Sequence, residues 1–351
     1  MSVSPLLPQD IEEILAEWPD DDLEKMSGAS VLISGISGFI GRSLFSLFVG
    51  LDKAHQLGLS LWGVTRDTEA TKSLLGEEAS SLSVPLSLVS WTQVAEQKLG
   101  QKFDFVVHAA SATGPKDFAG SRSGFIEANF RGTSDLLGVV NPGGVFLFLS
   151  SVEIYGASPQ GKDFLAKEDQ LAALDPWNSR SAYAIGKLMV ESLGTAHADD
   201  AHFRFSSVRL DHVFGPAIKL GDGRVLGDFF SDAVSKPDIT LLSDGSGQIR
   251  LTYVSDALSG IMRVLVEGES RAYNLCAGFE PLTLRELGAK IVSNPLARAK
   301  RLNVLGQPID TTKYLAQLPP GLECSVLRTL GWAPRVGIDD GISRVLHALS
   351  G

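Results

Sequence analysis

Tyr183 and Lys187 stand four positions apart in the segment SAYAIGK, which is predicted to be helical. Side chains at positions i and i+4 share one face of a helix, so the phenol and the ammonium group should meet. A lysine cation beside a phenol lowers the pKa of the tyrosine, which makes it a usable base near neutral pH. Ser151 ends a predicted strand and can hydrogen-bond a reacting hydroxyl or carbonyl. A surface tyrosine beside a solvated lysine has the same spacing, so the prediction of catalysis needs a cofactor-binding turn as well.

The stretch VLISGISGFIGRSL provides such a turn, because Gly35, Gly38 and Gly41 lie between an apolar run and a predicted helix. In this arrangement the first glycine permits a tight turn, and the second lets backbone approach a pyrophosphate. The third lets the helix pack closely on the strand. The helix N-terminus adds free N–H groups and a partial positive charge. The pattern predicts dinucleotide binding, and a glycine-rich turn without a ligand is the alternative.

The end of the second predicted strand bears on which dinucleotide is bound. Enzymes that use NAD usually carry an acid at this point, but here Thr65 is followed by Arg66. A guanidinium group near this position suits the extra phosphate of NADP. Asp67 is close enough to reach a ribose. The cofactor is therefore predicted to be NAD or NADP, with NADP slightly favoured.

The bulk composition limits the partners of the chain. Apolar residues make up 44% and charged residues 21% of 351 residues, and the net charge is −10. That charge disfavours nucleic acid or an anionic membrane as the main partner. The two cysteines form no C-x-x-C pair and the six histidines are scattered, so no metal site is predicted. The N-terminus lacks the features of a signal peptide, and no apolar run approaches a membrane span, which predicts a cytoplasmic protein.

Strands and helices alternate along the chain from Ser30 onwards. Near-continuous apolar strands between helices indicate a parallel sheet that is covered on both faces. The predicted fold is α/β, a Rossmann-like doubly wound parallel sheet with a smaller mixed C-terminal substrate domain. We expect a helical extension over residues 1–28, a mainly dinucleotide-binding domain over 29–213 and a mainly substrate-binding domain over 214–351. The last two should intermingle, with some strands after residue 250 returning to the first domain.

Motifs in order along the chain resemble the extended short-chain dehydrogenase/reductase family, specifically the enzymes that act on nucleotide-diphosphate sugars. The resemblance covers nearly the whole chain after Ser30. The matching segments are GISGFIG, VVHAAS, NFRGTSDLL, SSVEIYG, YAIGK, RLDHVFGP, IRLTYVSDAL, YNLCAG, LTLRELG and LGWAP. This resemblance implies that the sugar is transiently oxidised, usually at C4, by a tightly bound nicotinamide.

The resemblance also assigns roles to individual residues. Tyr183 would take the proton of the C4 hydroxyl, Lys187 would hold the phenolate and a ribose, and Ser151 would orient the oxygen. His108 is expected to be structural. The predicted cofactor-binding residues are Gly35, Ser37, Gly38, Phe39, Ile40, Gly41, Arg66, Ala109, Ala110, Ser111, Asn129, Tyr183 and Lys187.

The segment SSVEIYG bears on which reaction follows the oxidation at C4. Glu153 stands where the dehydratase and decarboxylase branches carry a glutamate, and can act as a base or positioner at C5. Val152 stands where dehydratases carry an acidic proton donor and decarboxylases a serine, which puts 4,6-dehydration in doubt. Two loops, ASATGPKDF and GPAIKLGDGRVLGDFF, resemble the substrate loops of UDP-glucuronate decarboxylases.

Three residues are predicted to bind the substrate. Arg250 matches the family arginine that approaches the diphosphate, which a guanidinium binds well. Arg224 lies in a predicted nucleotide-sugar loop, with a surface role as the alternative. His212 replaces an asparagine that contacts the diphosphate in many relatives. Arg180 either meets a sugar carboxylate or caps a helix.

Three functions follow from the resemblance. The first is a lyase of the decarboxylase or dehydratase type, favoured by Glu153 and the two loops. The second is an epimerase or ketosugar reductase, that is, an isomerase or an oxidoreductase, favoured by Val152. The third is a non-catalytic NAD(P)-sensing protein, against which the three catalytic residues argue. The resemblance further implies a homodimer formed by helices near 125–140 and 181–196, whose apolar residues equally allow packing on the sheet. Those residues are Leu136, Leu137, Val139, Leu188, Met189 and Leu193.

Overall fold

The computed structural model of the protein contains a central sheet of seven parallel strands. It describes residues 4–111, 122–156, 164–170, 174–178, 181–278, 280–307 and 321–350. The sheet strands are β1 (Ser30–Ser34), β2 (Ser60–Thr65), β3 (Ser87–Ser90), β4 (Phe103–His108), β5 (Val140–Ser151), β7 (Arg204–Leu210) and β12 (Ala272–Leu275). Their order is β3-β2-β1-β4-β5-β7-β12, and each neighbouring pair is parallel. The predicted Rossmann-like fold is confirmed.

The strands are almost wholly apolar because both faces of the sheet are covered. In β4, Phe105 and Val107 pack into the larger of two hydrophobic clusters, whereas Phe103 and Val106 pack into the smaller one on the opposite face. The helices are α1 (Pro8–Leu15), α2 (Asp20–Leu23), α3 (Phe39–His55), α4 (Thr68–Ala79), α5 (Trp91–Ala95), α6 (Arg122–Leu137), α7 (Ala182–Ala201), α8 (Val225–Ser235), α9 (Val254–Glu267), α10 (Leu284–Ser293), α11 (Ser325–Arg328) and α12 (Ile338–Ser350).

Helices α3, α4 and α9 supply the larger cluster, and helices α5, α6 and α7 supply the smaller one. No helix in the described ranges is both long and apolar enough to cross a lipid bilayer.

The second half of the chain adds short strand pairs outside the main sheet. The short strands are β6 (Leu165–Ala166), β8 (His212–Phe214), β9 (Asp238–Leu241), β10 (Gln248–Ile249), β11 (Leu251–Tyr253), β13 (Leu282–Thr283), β14 (Arg301–Val304) and β15 (Gly321–Leu322). The pairs β8–β11, β9–β14 and β6–β15 are parallel, and β10–β13 is antiparallel. Because β8 follows β7 directly, the β8–β11 pair lies beyond the carboxyl edge of the main sheet.

The N-terminal segment is fixed to the C-terminal helix by a buried ion pair. Asp10 on α1 is inaccessible to water, and one of its oxygens accepts a 2.7 Å bond from the guanidinium of Arg344 on α12. Tyr253 donates to the other oxygen at 3.1 Å. The predicted amphipathic helix is present, but it ends at Leu15 and α2 begins only after Pro19, because proline disfavours helix in the residue before it.

The sequence pattern missed β3, α4 and α5, which are short elements at one edge of the sheet. The helix predicted near residues 125–140 occupies Arg122–Leu137, and of the residues after it in that range only Val140 belongs to β5. Strand β12 lies at the opposite edge of the main sheet from β3, paired with β7. The division into domains at residues 28 and 213 stays a prediction.

Candidate active site

The site lies where the strand order reverses. Strand β1 is flanked by β2 on one side and by β4 on the other, so the connections from their carboxyl ends lead away in opposite directions. Open α/β sheets bind ligands in the crevice that forms at such a point. The glycine turn follows β1, and Ala109–Ser111 follow β4. The fold therefore brings two predicted cofactor-binding segments to the same crevice.

The glycine turn is packed so tightly that neither Gly35 nor Gly41 has room for a Cβ atom. Gly35 has a φ of +70°, and a Cβ atom there would lie 2.7 Å from the Cα of Ala110. A Cβ atom on Gly41 would overlap the carbonyl oxygen of Gly35. Gly38 is the N-cap of α3, and its N–H donates to the Gly35 carbonyl at 2.8 Å. The first N–H groups of α3 consequently face the crevice that a pyrophosphate would occupy.

His108 holds the second side of the crevice in place. Its Nδ1 accepts a bond from the Ser34 hydroxyl at 2.6 Å, and its Nε2 lies 3.1 Å from the Thr133 hydroxyl. Ser34 also accepts the Ala110 N–H, and Thr133 donates to the Asn129 carbonyl. Burial lowers the pKa of His108 to about 3, so the ring is neutral. His108 thus links β1, β4 and α6, as expected of a structural residue.

The crevice has two features that suit the phosphates of a dinucleotide. The Oγ atom of Ser111 is buried without a hydrogen-bond partner among the described residues. Ser111 follows Ala110, whose backbone packs so closely on Gly35 that no Cβ atom fits there. An oriented hydroxyl and a side-chain-free cradle at a helix N-terminus match the demands of a phosphate. Ser37 belongs to the same turn, and Phe39 and Ile40 are the first two residues of α3.

The end of β2 differs from a simple acid-to-ribose arrangement. Thr65 is buried, and its hydroxyl lies 2.7 Å from that of Thr71. The carboxylate of Asp67 accepts the N–H of Ala70 at 2.9 Å and caps α4. Arg66 is exposed. Because capping engages one oxygen of Asp67, Arg66 is the freer side chain for recognising a ligand.

Lys187 is the most buried cation of the predicted site. Its Nζ donates to the carbonyl of Leu149 at 2.7 Å and lies 4.6 Å from the Phe148 ring centroid. The residue is 4% exposed, and the Tyr183 ring centroid is 5.8 Å from Nζ. Burial lowers the pKa of Lys187 to about 7, while the carboxylate of Glu191 opposes the shift. An ammonium group at this place stabilises negative charge on the neighbouring phenol.

Ser151 is the last residue of β5 and the N-cap of a short 3₁₀ turn over Val152–Tyr155. Its Oγ atom accepts the N–H of Glu153 at 3.2 Å. Helix α7, which carries Tyr183 and Lys187, packs against this turn and against β5. Val152 is buried in the larger hydrophobic cluster. The serine, the tyrosine and the lysine therefore sit on two elements that are in direct contact.

A buried polar network that sequence reasoning did not find supports α7. Glu191 lies one turn after Lys187 and binds the guanidinium of Arg209 on β7 through two bonds of 2.6 and 3.1 Å. Arg209 also donates to the Tyr155 hydroxyl at 2.7 Å. Tyr155 donates to the side chain of Asn274 on β12 at 2.7 Å. The i+4 spacing of Glu191 from Lys187 was visible in the sequence, whereas its partner Arg209 was not.

The predicted substrate-binding residues gather beyond the edge of the sheet. The His212 ring is exposed, interacts with the charges of Glu153 and Arg224, and forms a hydrogen bond with the backbone of Arg250. Arg224 is held by the buried carboxylate of Asp222 at 2.6 Å. Arg250 lies against Gly321, since a Cβ atom added to Gly321 would be 3.1 Å from the Nε atom of Arg250. These placements leave the assigned substrate roles as predictions.

Two predictions fall outside the described residues. They are Arg180 and the part of the ASATGPKDF loop that follows Ser111.

Known proteins resemble this chain in sequence and in fold. The model of the NAD dependent epimerase/dehydratase family matches residues 31–276. UDP-glucuronic acid decarboxylase 2 of Arabidopsis thaliana is 29% identical over 320 residues, which are 91% of this chain and 67% of that protein. UDP-glucuronic acid decarboxylase 1 of Xenopus tropicalis is 24% identical over 248 residues, which are 70% of this chain and 56% of that protein. The chain thus spans 56% to 67% of the length of these two relatives.

A solved structure shows the same fold. UDP-glucose 4-epimerase of Thermotoga maritima, determined with UDP-glucose, superposes with a TM-score of 0.74 at 17% identity, over 91% of this chain and 98% of that one. Other structures with this fold are complexes with NAD or with NADPH.

The burial of Lys187 generates a prediction about stability. The pKa of Lys187 is about 7 in the folded protein and 10.5 for an ordinary lysine. Between these values the unfolded chain binds more protons than the folded one. The contribution of Lys187 to the free energy of unfolding therefore rises with pH through that window. Lys187→Met removes the buried charge, so its Tm should exceed that of the unchanged protein by about 2 °C or more near pH 6. The difference should shrink as the pH rises towards about 9. Calorimetry at both pH values measures it.

The exposed Lys72 gives a matched control, because Lys72→Met removes a charge without changing a buried one. Its Tm should stay close to that of the unchanged protein at both pH values. A lower Tm for Lys187→Met at about pH 6 would contradict a net cost of burying the ammonium group.

Proposed function

Because the chain belongs to the NAD dependent epimerase/dehydratase family, we propose that it decarboxylates a nucleotide-diphosphate sugar acid through transient oxidation at C4. The observation that carries the choice of reaction is Glu153, two residues after Ser151, while Val152 argues against dehydration. Two decarboxylases among the relatives, at 24% and 29% identity, support the same choice. A UDP-linked glucuronic acid is the first substrate to test.

The hydride step assigns one task to each of three side chains. The Tyr183 phenolate accepts the proton of the C4 hydroxyl while the C4–H bond breaks. Lys187, which is buried and within 5.8 Å of the phenol ring centroid, stabilises the phenolate. The Ser151 hydroxyl donates to the C4 oxygen as it becomes a carbonyl. A nicotinamide held by the glycine turn would supply the hydride acceptor for this step and the donor for its reversal.

A ketone at C4 makes the next bond cleavage easy in a sugar acid. The carboxylate on C5 is then β to the carbonyl, so the C5–C6 bond breaks, CO2 leaves and the electron pair moves into the C4 carbonyl. This step needs no acid at residue 152. Dehydration does need one, because the departing hydroxyl must be protonated, and the apolar, buried Val152 cannot donate a proton. Glu153 is proposed to position C5 and to handle its proton.

The second candidate is an epimerase or ketosugar reductase. Val152 favours it as much as decarboxylation, since neither reaction needs an acid at that position. A non-catalytic NAD(P)-sensing protein is the third. A protein that only senses NAD(P) does not need a serine, a tyrosine and a buried lysine on two elements in contact.

We infer that the cofactor is NADP rather than NAD. Asp67 uses one carboxylate oxygen to cap α4, and the exposed Arg66 next to it can pair with a phosphate on the ribose. Complexes of this fold with either cofactor are known.

A homodimer through α6 and α7 is also proposed, and Leu188 is the exposed member of the sequence-based set. Leu136, Leu137 and Val139 are wholly packed in this chain's own core, so they are not available to a partner. Phe130 on α6 and Leu188 on α7 are 44% and 37% exposed, on two helices that contact each other. The cytoplasmic location stays a prediction.

A product analysis tests the proposed function. The protein is incubated with UDP-glucuronic acid, UDP-glucose, UDP-galactose, GDP-mannose and dTDP-glucose, each with NAD and with NADP. Released CO2 and a UDP-pentose from the acid support decarboxylation. An isomer of equal mass, or net consumption of reduced cofactor, supports the second candidate, and bound cofactor with every sugar unchanged supports the third.

Tyr183→Phe should lower kcat by about 10²–10⁴-fold, because phenylalanine cannot accept the proton. The affinity for the cofactor should change little, since the glycine turn is unaltered. Steady-state kinetics and cofactor titration measure the two quantities. Tyr273→Phe, a buried tyrosine on β12, is the matched control and should keep kcat near its original value. Residual activity above about a tenth in Tyr183→Phe would overturn the assignment of the base.

Arg66→Ala should weaken NADPH binding by about tenfold, the loss of one charge-assisted contact, and leave NADH binding nearly unchanged. Titration of the bound nicotinamide fluorescence measures both affinities. Asp67→Asn keeps an oxygen that can cap α4 and serves as the control. Equal weakening of both cofactors would contradict a contact to the ribose phosphate.

A further inference from the structure

The two cysteines of the chain meet in the folded protein. Cys276 follows β12 and Cys324 follows β15, 48 positions later, yet their sulfur atoms are 3.2 Å apart. Both residues are buried, at 3% and 6% exposure. Their spacing does not predict this contact, because they form no C-x-x-C motif.

The surroundings of the pair distinguish the two thiols. The Cys324 S–H group, the N–H of Gly278 and the Arg250 guanidinium hold the pKa of Cys276 below its usual range, against the effect of burial. The contact with Cys276 and burial raise the pKa of Cys324. Burial, together with the nearby Cys276, raises the pKa of the neighbouring Asp211 carboxyl. One sulfur is therefore suited to be the nucleophile and the other to be its thiol partner.

We propose that Cys276 and Cys324 are a redox-active dithiol that closes to a disulfide on reaction with a hydroperoxide. The Cys276 sulfur attacks the terminal peroxide oxygen, the O–O bond breaks, and the departing oxygen leaves as water or an alcohol after taking a proton. The resulting sulfenic acid is attacked by the Cys324 sulfur, its S–O bond breaks, and water leaves with the Cys324 proton. Two thiols and one peroxide give one disulfide, and both electrons go to the peroxide.

The position of the pair gives the disulfide a structural effect. Cys276 is attached to the edge strand of the main sheet, and Cys324 is two residues beyond β15, whose Gly321 lies against Arg250. A covalent bond between them fixes the segment around Gly321 against the sheet edge. Because both sulfurs are buried, a small peroxide suits the reaction better than a bulky disulfide reagent.

Intact-mass measurement on the full chain tests the proposal without relying on any enzyme activity. One equivalent of hydrogen peroxide should remove the mass of two hydrogen atoms and give a single peptide pair containing Cys276 and Cys324. Dithiothreitol should restore the original mass. Addition of oxygen atoms to the separate cysteines, or reaction only after the protein is unfolded, would overturn the proposal.

Single variants test which sulfur attacks. Cys324→Ala leaves Cys276 without a resolving partner, so peroxide should produce a sulfenic acid there that dimedone traps. Cys276→Ala should give several times less trapped product at Cys324. Substoichiometric iodoacetamide on the unchanged protein checks the same point without relying on the folding of either variant, and Cys276 should be alkylated first. Equal or reversed labelling would overturn the assignment of Cys276 as the nucleophile.

Discussion

The proposed chemistry of the site depends on a buried ammonium group. Lys187 lies between the carbonyl of Leu149 and the ring of Phe148, and burial lowers its pKa to about 7. A charge in such a place is costly unless a nearby group compensates for it. The Tyr183 phenolate would be that compensation during the reaction, and Glu191 supports the charge from the next turn of the helix. Burial disfavours the charged lysine, so the proposed role of Lys187 requires the ammonium group to stay protonated when Tyr183 ionises.

The polar network behind α7 explains how this geometry is maintained. Glu191 is bound by Arg209 of β7, Arg209 contacts Tyr155 of the 3₁₀ turn, and Tyr155 contacts Asn274 of β12. Each buried group in this series has a charged or polar partner, so burial of the series is tolerated. The helix with Tyr183, the turn after Ser151 and the edge strand are thereby held in one register. The amide of Asn274 continues the series to the carbonyls of Ala166 and Glu323, on either side of the β6–β15 pair.

Local patterns predicted most of the fold and part of the site. The glycines at 35, 38 and 41 and the tyrosine–lysine spacing act over a few residues, so the chain itself indicated the turn and the shared helix face. Contacts between distant segments were not predictable in the same way. Arg209 and Glu191 meet only because α7 packs on β7 in one register, and the cysteine pair needs β12 and β15 to be in place.

The sequence motifs also did not show which local hydrogen bonds would engage the predicted binding residues or their neighbours. The capping role of Asp67 and the pairing of Arg224 with Asp222 depend on helix ends that the motif does not specify.

The proposed function requires a nicotinamide to be reduced and reoxidised within one turnover, with Tyr183 as the base. Stopped-flow absorbance measures this directly when protein loaded with oxidised cofactor is mixed with substoichiometric UDP-glucuronic acid. We expect the absorbance of reduced nicotinamide to rise before the UDP-pentose appears and to return to its starting value as the product forms. Complete conversion of the sugar with no change in that absorbance would contradict it.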